Sequence, residues 1–314
     1  MEDQFGRSVD YLRLSVTDLC NYRCQYCMPA EGVCKLAHED ILTVEACIEI
    51  AQAAAACGVK KIRLTGGEPL VRRGILDICR GLGAIPGIEE LCLTTNGTML
   101  PQMAVPLREA GVDRLNISLD TLRPDRFQTM TRTGQLQQTL DGIAAAQAAG
   151  FTRLKLNTVL IGGFNDDEIG DFLALTRDHS WEVRFIELMP MGPCAAWDRG
   201  CFLSSQTVLE RFPTLEPLEA QGVARRYRLP GARGTVGFIA PLSHTFCAQC
   251  RRIRVTADGR LKSCLHSREE IDLRGLHGPA LEEAIRRGIA CKPQEHHLTD
   301  RPSDTPRSMN QIGG

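Results

Sequence analysis

The chain has 314 residues, 43% of them hydrophobic and 24% charged, with a formal net charge of −1. This is an ordinary globular composition, long enough for one large domain with a smaller companion, and its near-neutral charge excludes bulk attraction to nucleic acid or an anionic membrane. No run of about 18 apolar residues offers a membrane span, and the first seven residues hold no apolar signal-peptide core, so a cytoplasmic protein with no membrane partner is expected.

Residues 11–16 read as a strand and lead into Cys20-Asn21-Tyr22-Arg23-Cys24-Gln25-Tyr26-Cys27. A helix is predicted over 43–57, with Thr43 as N-cap and Gly58 ending it. Strand 61–65 meets Gly66-Gly67-Glu68-Pro69, and helix 74–82 follows. Strand 91–94 runs into the turn Thr95-Asn96-Gly97. A helix before Gly111 leads to strand 114–118. Helix 136–149, strand 154–159, helix 166–178 and strand 182–187 complete the alternation. Six strand–helix units imply a parallel sheet with helices outside. Six units in place of eight make an incomplete (β/α)6 barrel, open on one side, with reactive groups at the carboxyl ends of the strands.

After Met189-Pro190-Met191-Gly192-Pro193 the period breaks, so residues 1–192 read as the partial barrel and 193–314 as a C-terminal region. Segments 223–229 and 234–239 alternate like short antiparallel strands. Cys247 and Cys250 precede a strand over 252–256 and a tight turn at 257–260, and Cys264 follows. A helix over 279–290 precedes a polar tail that ends Gly313-Gly314. His296 and His297 in that tail are expected in solvent.

The 14 cysteines suit metal binding better than a disulfide framework in a reducing compartment. Cys20, Cys24 and Cys27 put three soft ligands on one loop, enough for three corners of an iron–sulfur cubane with the fourth iron open. Cys34 is the nearest further cysteine for a zinc site. Cys247, Cys250 and Cys264 again number three; a second open cluster is favoured, with a zinc ribbon as the alternative. Cys47, Cys57, Cys79 and Cys92 read as small core hydrophobes. Arg13, Lys61, Arg63, Lys155, Arg184, Arg252 and Arg254 lie on otherwise apolar strands. Alternate strand residues share a face, so Lys61 projects with Arg63 and Arg252 with Arg254, as a pocket for phosphate would require.

The CxxxCxxC spacing with Tyr26, followed by Gly-Gly-Glu-Pro after a strand, resembles the radical SAM superfamily. More closely, 12–18, TGGEPLVRR (65–73), LTTNG (93–97), NISLD (116–120), RFIELMPMG (184–192), FCAQCRRIRVTADG (246–259) and the Gly-Gly end resemble the GTP 3′,8-cyclase family. The resemblance implies two [4Fe–4S] clusters, on Cys20/Cys24/Cys27 and on Cys247/Cys250/Cys264, with S-adenosylmethionine on the first. It implies S-adenosylmethionine contacts at Tyr26, Gly67, Ser118 and Met189, and GTP contacts at Arg13, Arg63, Thr94, Lys155 and the 252–254 segment, to which the strand reading adds Lys61 and Arg184. The guanine would meet the second cluster's open iron, and Gly313 and Gly314 would reach the active site. No catalytic residue beyond these ligands is implied.

The reaction implied is abstraction of the ribose 3′ hydrogen by a 5′-deoxyadenosyl radical, followed by C3′–C8 bond formation, to give (8S)-3′,8-cyclo-7,8-dihydroguanosine 5′-triphosphate. This begins molybdenum cofactor biosynthesis. An electron donor such as flavodoxin or ferredoxin, a downstream cyclic pyranopterin monophosphate synthase and a homodimer go with it. The alternatives are a radical SAM peptide maturase with an auxiliary cluster and a non-enzymatic zinc module binding nucleic acid. Two positions depart from the family pattern: Leu19 where Arg is usual, and Arg251 where a small polar residue is common. Arg72 and Arg73 serve either phosphate or a helix end.

Overall fold

The structure is a computed structural model describing residues 1–33, 36–298 and 303–313. Cys34 and Gly314 lie outside the described residues. The first half alternates β1 (Tyr11–Ser15), α1 (Val44–Ala56), β2 (Lys61–Thr65), α2 (Ile75–Gly83), β3 (Glu90–Thr95), α3 (Leu100–Glu109) and β4 (Arg114–Ser118). Then come α4 (Pro124–Thr131), α5 (Leu136–Ala148), β5 (Lys155–Leu160), α6 (Ile169–Asp178) and β6 (Glu182–Glu187). These six strands pair in sequence order, all in parallel. Helix α1 starts where expected because the Thr43 side chain accepts a hydrogen bond from Ala46 N. The sequence reading lacked α4, whose start is set by Pro124 at its first turn.

The C-terminal half supplies α7 (Ser205–Arg211), β7 (Glu216–Gln221), β8 (Ala224–Arg228), β9 (Thr235–Ile239), β10 (Arg252–Val255), β11 (Arg260–Lys262), β12 (Ile271–Asp272) and α8 (Gly278–Ala290). Its strands do not form a sheet of their own. Among the described residues one sheet runs β12-β11-β10-β1-β2-β3-β4-β5-β6-β9-β8-β7. The expected antiparallel pairing holds between β8 and β9, but β9 itself joins β6 in parallel, and β10 joins β1 in parallel. The C-terminal half thus extends both edges of the six-stranded unit. The sheet remains open, with β12 and β7 at its ends, as an incomplete barrel requires.

Strand alternation divides the two faces. Leu12, Leu14, Ile62, Leu64, Leu91 and Leu93 have at most 1% exposure and face the helical layer. The other face carries Tyr11, Arg13, Ser15, Lys61, Arg63 and Thr65. In α/β barrels the corresponding face is usually filled by branched apolar side chains; here it is polar and cationic. No helix among the described residues is long and apolar enough to cross a membrane.

Candidate active site

The loop after β1 and the turn after β2 are pinned together. Gly67 N donates to Thr17 O at 2.9 Å and Glu68 N to Leu19 O at 2.8 Å. A Cβ on Gly67 would lie 2.3 Å from Leu19 O, so the turn admits only glycine there. Cys20, Cys24, Cys27, Tyr26, Gly67 and Ser118 line one cleft, with Thr94 on its wall. Met189 lies outside that lining, at the end of β6, where its carbonyl accepts from the Cys194 thiol at 3.1 Å. Burial pushes the Cys20 thiol up to about 11 and Cys27 to about 12, with Cys24 also well above its ordinary value. Glu68 adds to this at Cys20 and Asp120 at Cys24 and Cys27. Ionised thiolates there need a bound cation, which a metal would supply.

Two acids support this cleft. Glu68 is 1% exposed and accepts from Leu70 N, Thr95 Oγ1 and Asn96 N at 3.0, 2.8 and 2.7 Å. Asp120 accepts from Tyr26 Oη at 2.8 Å and Val159 N at 2.9 Å. Burial lifts Glu68 to about 7 and Asp120 to about 6. Tyr26 is therefore fixed from β4's end as well as by its own loop.

The strand register aligns the cations. Arg254, Arg13, Arg63, Cys92 and Arg114 are cross-strand partners in one row over β10, β1, β2, β3 and β4. Adjacent like charges in a sheet repel. Burial pulls Arg254 down to about 10, with Arg252 adding to it, and Arg13 is lowered by burial and by Arg254. Burial also works against the Arg63 guanidinium, but Tyr11, whose hydroxyl it contacts, outweighs that and raises its pKa. Arg63 Nη1 donates to Thr94 Oγ1 at 3.2 Å.

Two carboxylates divide the rest. Glu90 pairs with Lys61 and, at 2.9 Å, with Arg114. Glu182 pairs with Lys155 at 2.9 Å, with Arg184, and with Arg226 at 3.8 Å. Burial opposes the Glu182 carboxylate, but Arg184 and Lys155 outweigh it and hold it at about 2. One carboxylate shared among three cations cannot sustain them all: burial, with Arg184 adding, draws Lys155 down to about 7.

The tail enters this row. Arg254 Nη1 donates to Gly313 O at 2.7 Å. Gly313 has φ +66°, and a Cβ on it would meet Thr65 Oγ1 at 2.2 Å, so conformation and space both demand glycine. Asn310 Nδ2 donates to Asp18 O at 3.1 Å, and Met309 and Asn310 line the cysteine cleft. Arg307 anchors the tail through paired hydrogen bonds to Asp258 (3.0 and 2.9 Å) and Glu270 (2.7 and 2.7 Å).

The second triad lies beside the same row. Cys247, Cys250 and Cys264 are partly buried and act on one another electrostatically. Burial raises a thiol, but Arg252 and Lys292 outweigh it at Cys250 and bring it to about 6. Arg252 also stacks 5.2 Å from the Phe246 ring centroid. Among the described residues no three His, Cys, Asp or Glu side chains are grouped as one metal ion requires. A cubane differs in taking each thiolate on a separate iron, and both donor sets are of the kind it accepts.

Several side chains absent from the sequence reading belong here: Arg114, Glu90, Glu182, Arg226, and Asn116 and Asn157. The buried Oδ1 atoms of the two asparagines have no hydrogen-bond partner among the described residues. Inward position on a strand was the available signal. Other expectations take plainer forms. Arg72 Nη2 caps Leu42 O at 2.7 Å, and Arg73 is exposed. Glu187 staples β6 to Ser205 N, Leu242 N and Ser243 N. His296 is half-buried against the His266 ring, 5.1 Å away, instead of lying in solvent, whereas His297 is exposed. Leu19 is 42% exposed, and Arg251 pairs with Asp10.

Residues 14–176 match the family model of the radical SAM superfamily, and 181–298 match that of Molybdenum Cofactor Synthesis C. A GTP 3′,8-cyclase from Alkaliphilus metalliredigens is 49% identical over 100% of both chains. One from Geobacter sulfurreducens is 50% identical over 99% of each. The chain belongs to the GTP 3′,8-cyclase family. Among solved structures, Streptococcus suis SuiB aligns with a TM-score of 0.64 at 12% identity, over 97% of this chain and 77% of that one. Methylornithine synthase aligns at 0.52 and 13% identity, over 98% and 80%. These structures share the radical SAM fold with this GTP 3′,8-cyclase family member, and at such identity they speak to fold alone.

Proposed function

We propose that this chain cyclises GTP to (8S)-3′,8-cyclo-7,8-dihydroguanosine 5′-triphosphate, the opening step of molybdenum cofactor biosynthesis. The observation that carries the reading is the row Arg254–Arg13–Arg63–Arg114, interrupted by Cys92, on the paired strands that lead out of one cysteine triad and into the other. A polyanion is what such a row accommodates.

In this reading Cys20, Cys24 and Cys27 hold one [4Fe–4S] cluster and Cys247, Cys250 and Cys264 the other. When bound, the first cluster and S-adenosylmethionine supply a 5′-deoxyadenosyl radical. Tyr26, Gly67, Ser118 and Met189 are assigned to S-adenosylmethionine. Arg13, Lys61, Arg63, Thr94, Lys155, Arg184, Arg252 and Arg254 are assigned to GTP. Asn116 and Asn157 offer their unpartnered Oδ1 atoms to hydroxyl or N–H donors of the nucleoside. Gly313 closes the site from the tail side. Residues 1–192 carry radical generation and 193–314 the substrate's base. Orientation of this kind lowers a barrier by several kcal/mol. A flavodoxin or ferredoxin as donor, cyclic pyranopterin monophosphate synthase as the next enzyme and a cytoplasmic homodimer complete the proposal.

The test is anaerobic reconstitution with iron and sulfide, then incubation with dithionite, S-adenosylmethionine and GTP. Uptake of about eight irons per chain and GTP-dependent 5′-deoxyadenosine with cyclised product are expected. Cleavage indifferent to GTP would sink the substrate assignment.

A further inference from the structure

Lys292 follows α8 and is 2% exposed. Its Nζ donates to Arg252 O at 2.9 Å and to Ser263 O at 2.8 Å. Ser263 precedes Cys264, and Arg252 stands two residues after Cys250. The same charge acts on the sulfurs of Cys247 and Cys250. Arg7 completes the arrangement. It is 8% exposed and donates to Cys247 O at 2.9 Å, Pro293 O at 2.7 Å and Gln294 O at 2.9 Å. The backbone around all three cysteines therefore hangs on two buried cations.

The two differ in how they are neutralised. Arg7 pairs with Asp3 at 2.6 Å. Lys262, as deeply buried as Lys292, lies 3.3 Å from Glu270. For Lys292 no carboxylate ion pair is found among the described residues. A buried ammonium held by carbonyl oxygens alone carries an uncompensated desolvation cost. Three thiolates on an iron–sulfur cubane leave the assembly negative and supply the missing counter-charge.

We propose that Lys292 is the counter-cation of the C-terminal [4Fe–4S] cluster, a positioning residue that holds the backbone beside Cys250 and Cys264 and raises the cluster's reduction potential. The proposal rests on the cluster reading of Cys247, Cys250 and Cys264. Reduction adds an electron to an already negative centre, so a fixed positive charge nearby favours the reduced form.

The test uses the full chain with Cys20→Ser, Cys24→Ser and Cys27→Ser, which leaves the C-terminal cluster alone, and follows it by iron analysis and a redox titration read by electron paramagnetic resonance. Lys292→Met removes charge and donors, Lys292→Gln keeps donors without charge, and Lys292→Arg keeps the charge. Met and Gln variants are expected to cut the reduced-to-oxidised ratio at a fixed potential about tenfold, a 59 mV shift for a one-electron couple. The Arg variant is expected to match the parent. Iron loss in the Met and Gln variants with retention in the Arg variant supports the holding role. Unchanged iron and potential in the Met variant overturn the proposal, as does a Gln variant that behaves like the parent. If neither neutral variant folds by circular dichroism, the charge serves the fold and the proposal falls. A parent protein that takes zinc and no iron defeats the cluster reading itself, independently of the variants.

Discussion

The two cysteine triads offer the same three thiols to different surroundings. The first is buried between Glu68 and Asp120, and its thiols are pushed up. The second is flanked by Arg252 and Lys292; its Cys250 is brought to about 6, while burial still raises Cys247. Ligand identity therefore does not set what a cluster does; surrounding charge is one of the protein's levers on its potential. Acidic surroundings disfavour adding an electron, so a cluster there is a strong reductant once reduced. Cationic surroundings suit a centre that holds an anionic substrate.

The sharpest way to break this comparison is to remove one triad at a time. Cys27→Ser should halve iron to about four per chain and abolish 5′-deoxyadenosine formation. Cys264→Ser should lose the same iron, keep reductive cleavage and abolish cyclised product. Product from either variant would refute the division of labour. Next in size is Arg254→Met, which strips a buried guanidinium from both the arginine row and the Gly313 carbonyl. Loss of roughly 3 kcal/mol of GTP binding, about 150-fold in Kd by calorimetry, is expected; S-adenosylmethionine affinity should change little.

A pH dependence follows from Lys155, lowered to about 7 in the free protein. A bound polyanion favours its charged form, so binding takes up a proton above that value. GTP affinity should be full below about pH 7 and fall as pH rises, by at most about tenfold per unit. Buffer-dependent binding heats at pH 8 would reveal the proton; a flat profile that Lys155→Met leaves unaltered would contradict it. The smallest effect is expected at Leu19, whose side chain is exposed beside Cys20 while its carbonyl bonds to Glu68 N. Leu19→Arg should leave iron content and turnover within about twofold, because a solvated charge acts weakly.

The six parallel strands were legible because their apolar faces repeat with period two between glycine stops. Cys20, Cys24 and Cys27 announced themselves by spacing. The inward direction of Arg13 and Arg63 followed from alternation alone. Glu90 and Glu182 were not legible as partners of those cations, since pairing across strands is fixed by register, which local pattern does not give. Lys292 and Arg7 were still harder: their contacts span 40 and 240 positions of chain. The parallel placement of β9 and β10 escaped because short alternating segments look alike whether they pair with a neighbour or with a strand far away.

The pairing of β10 with β1 also bears on when activity can appear. Tyr11 aligns with Arg252, so the first strand of the sheet waits for one made after four-fifths of the chain. Contacts of that separation form late and slowly. During synthesis the loop of the first three cysteines emerges early, yet its neighbouring edge stays uncovered, and Met309 and Asn310 have not reached the cleft. A nascent or truncated chain would bear the first three cysteines without the surface that accepts a substrate. Residues made late therefore complete the wall of a cleft that the early cysteine loop begins.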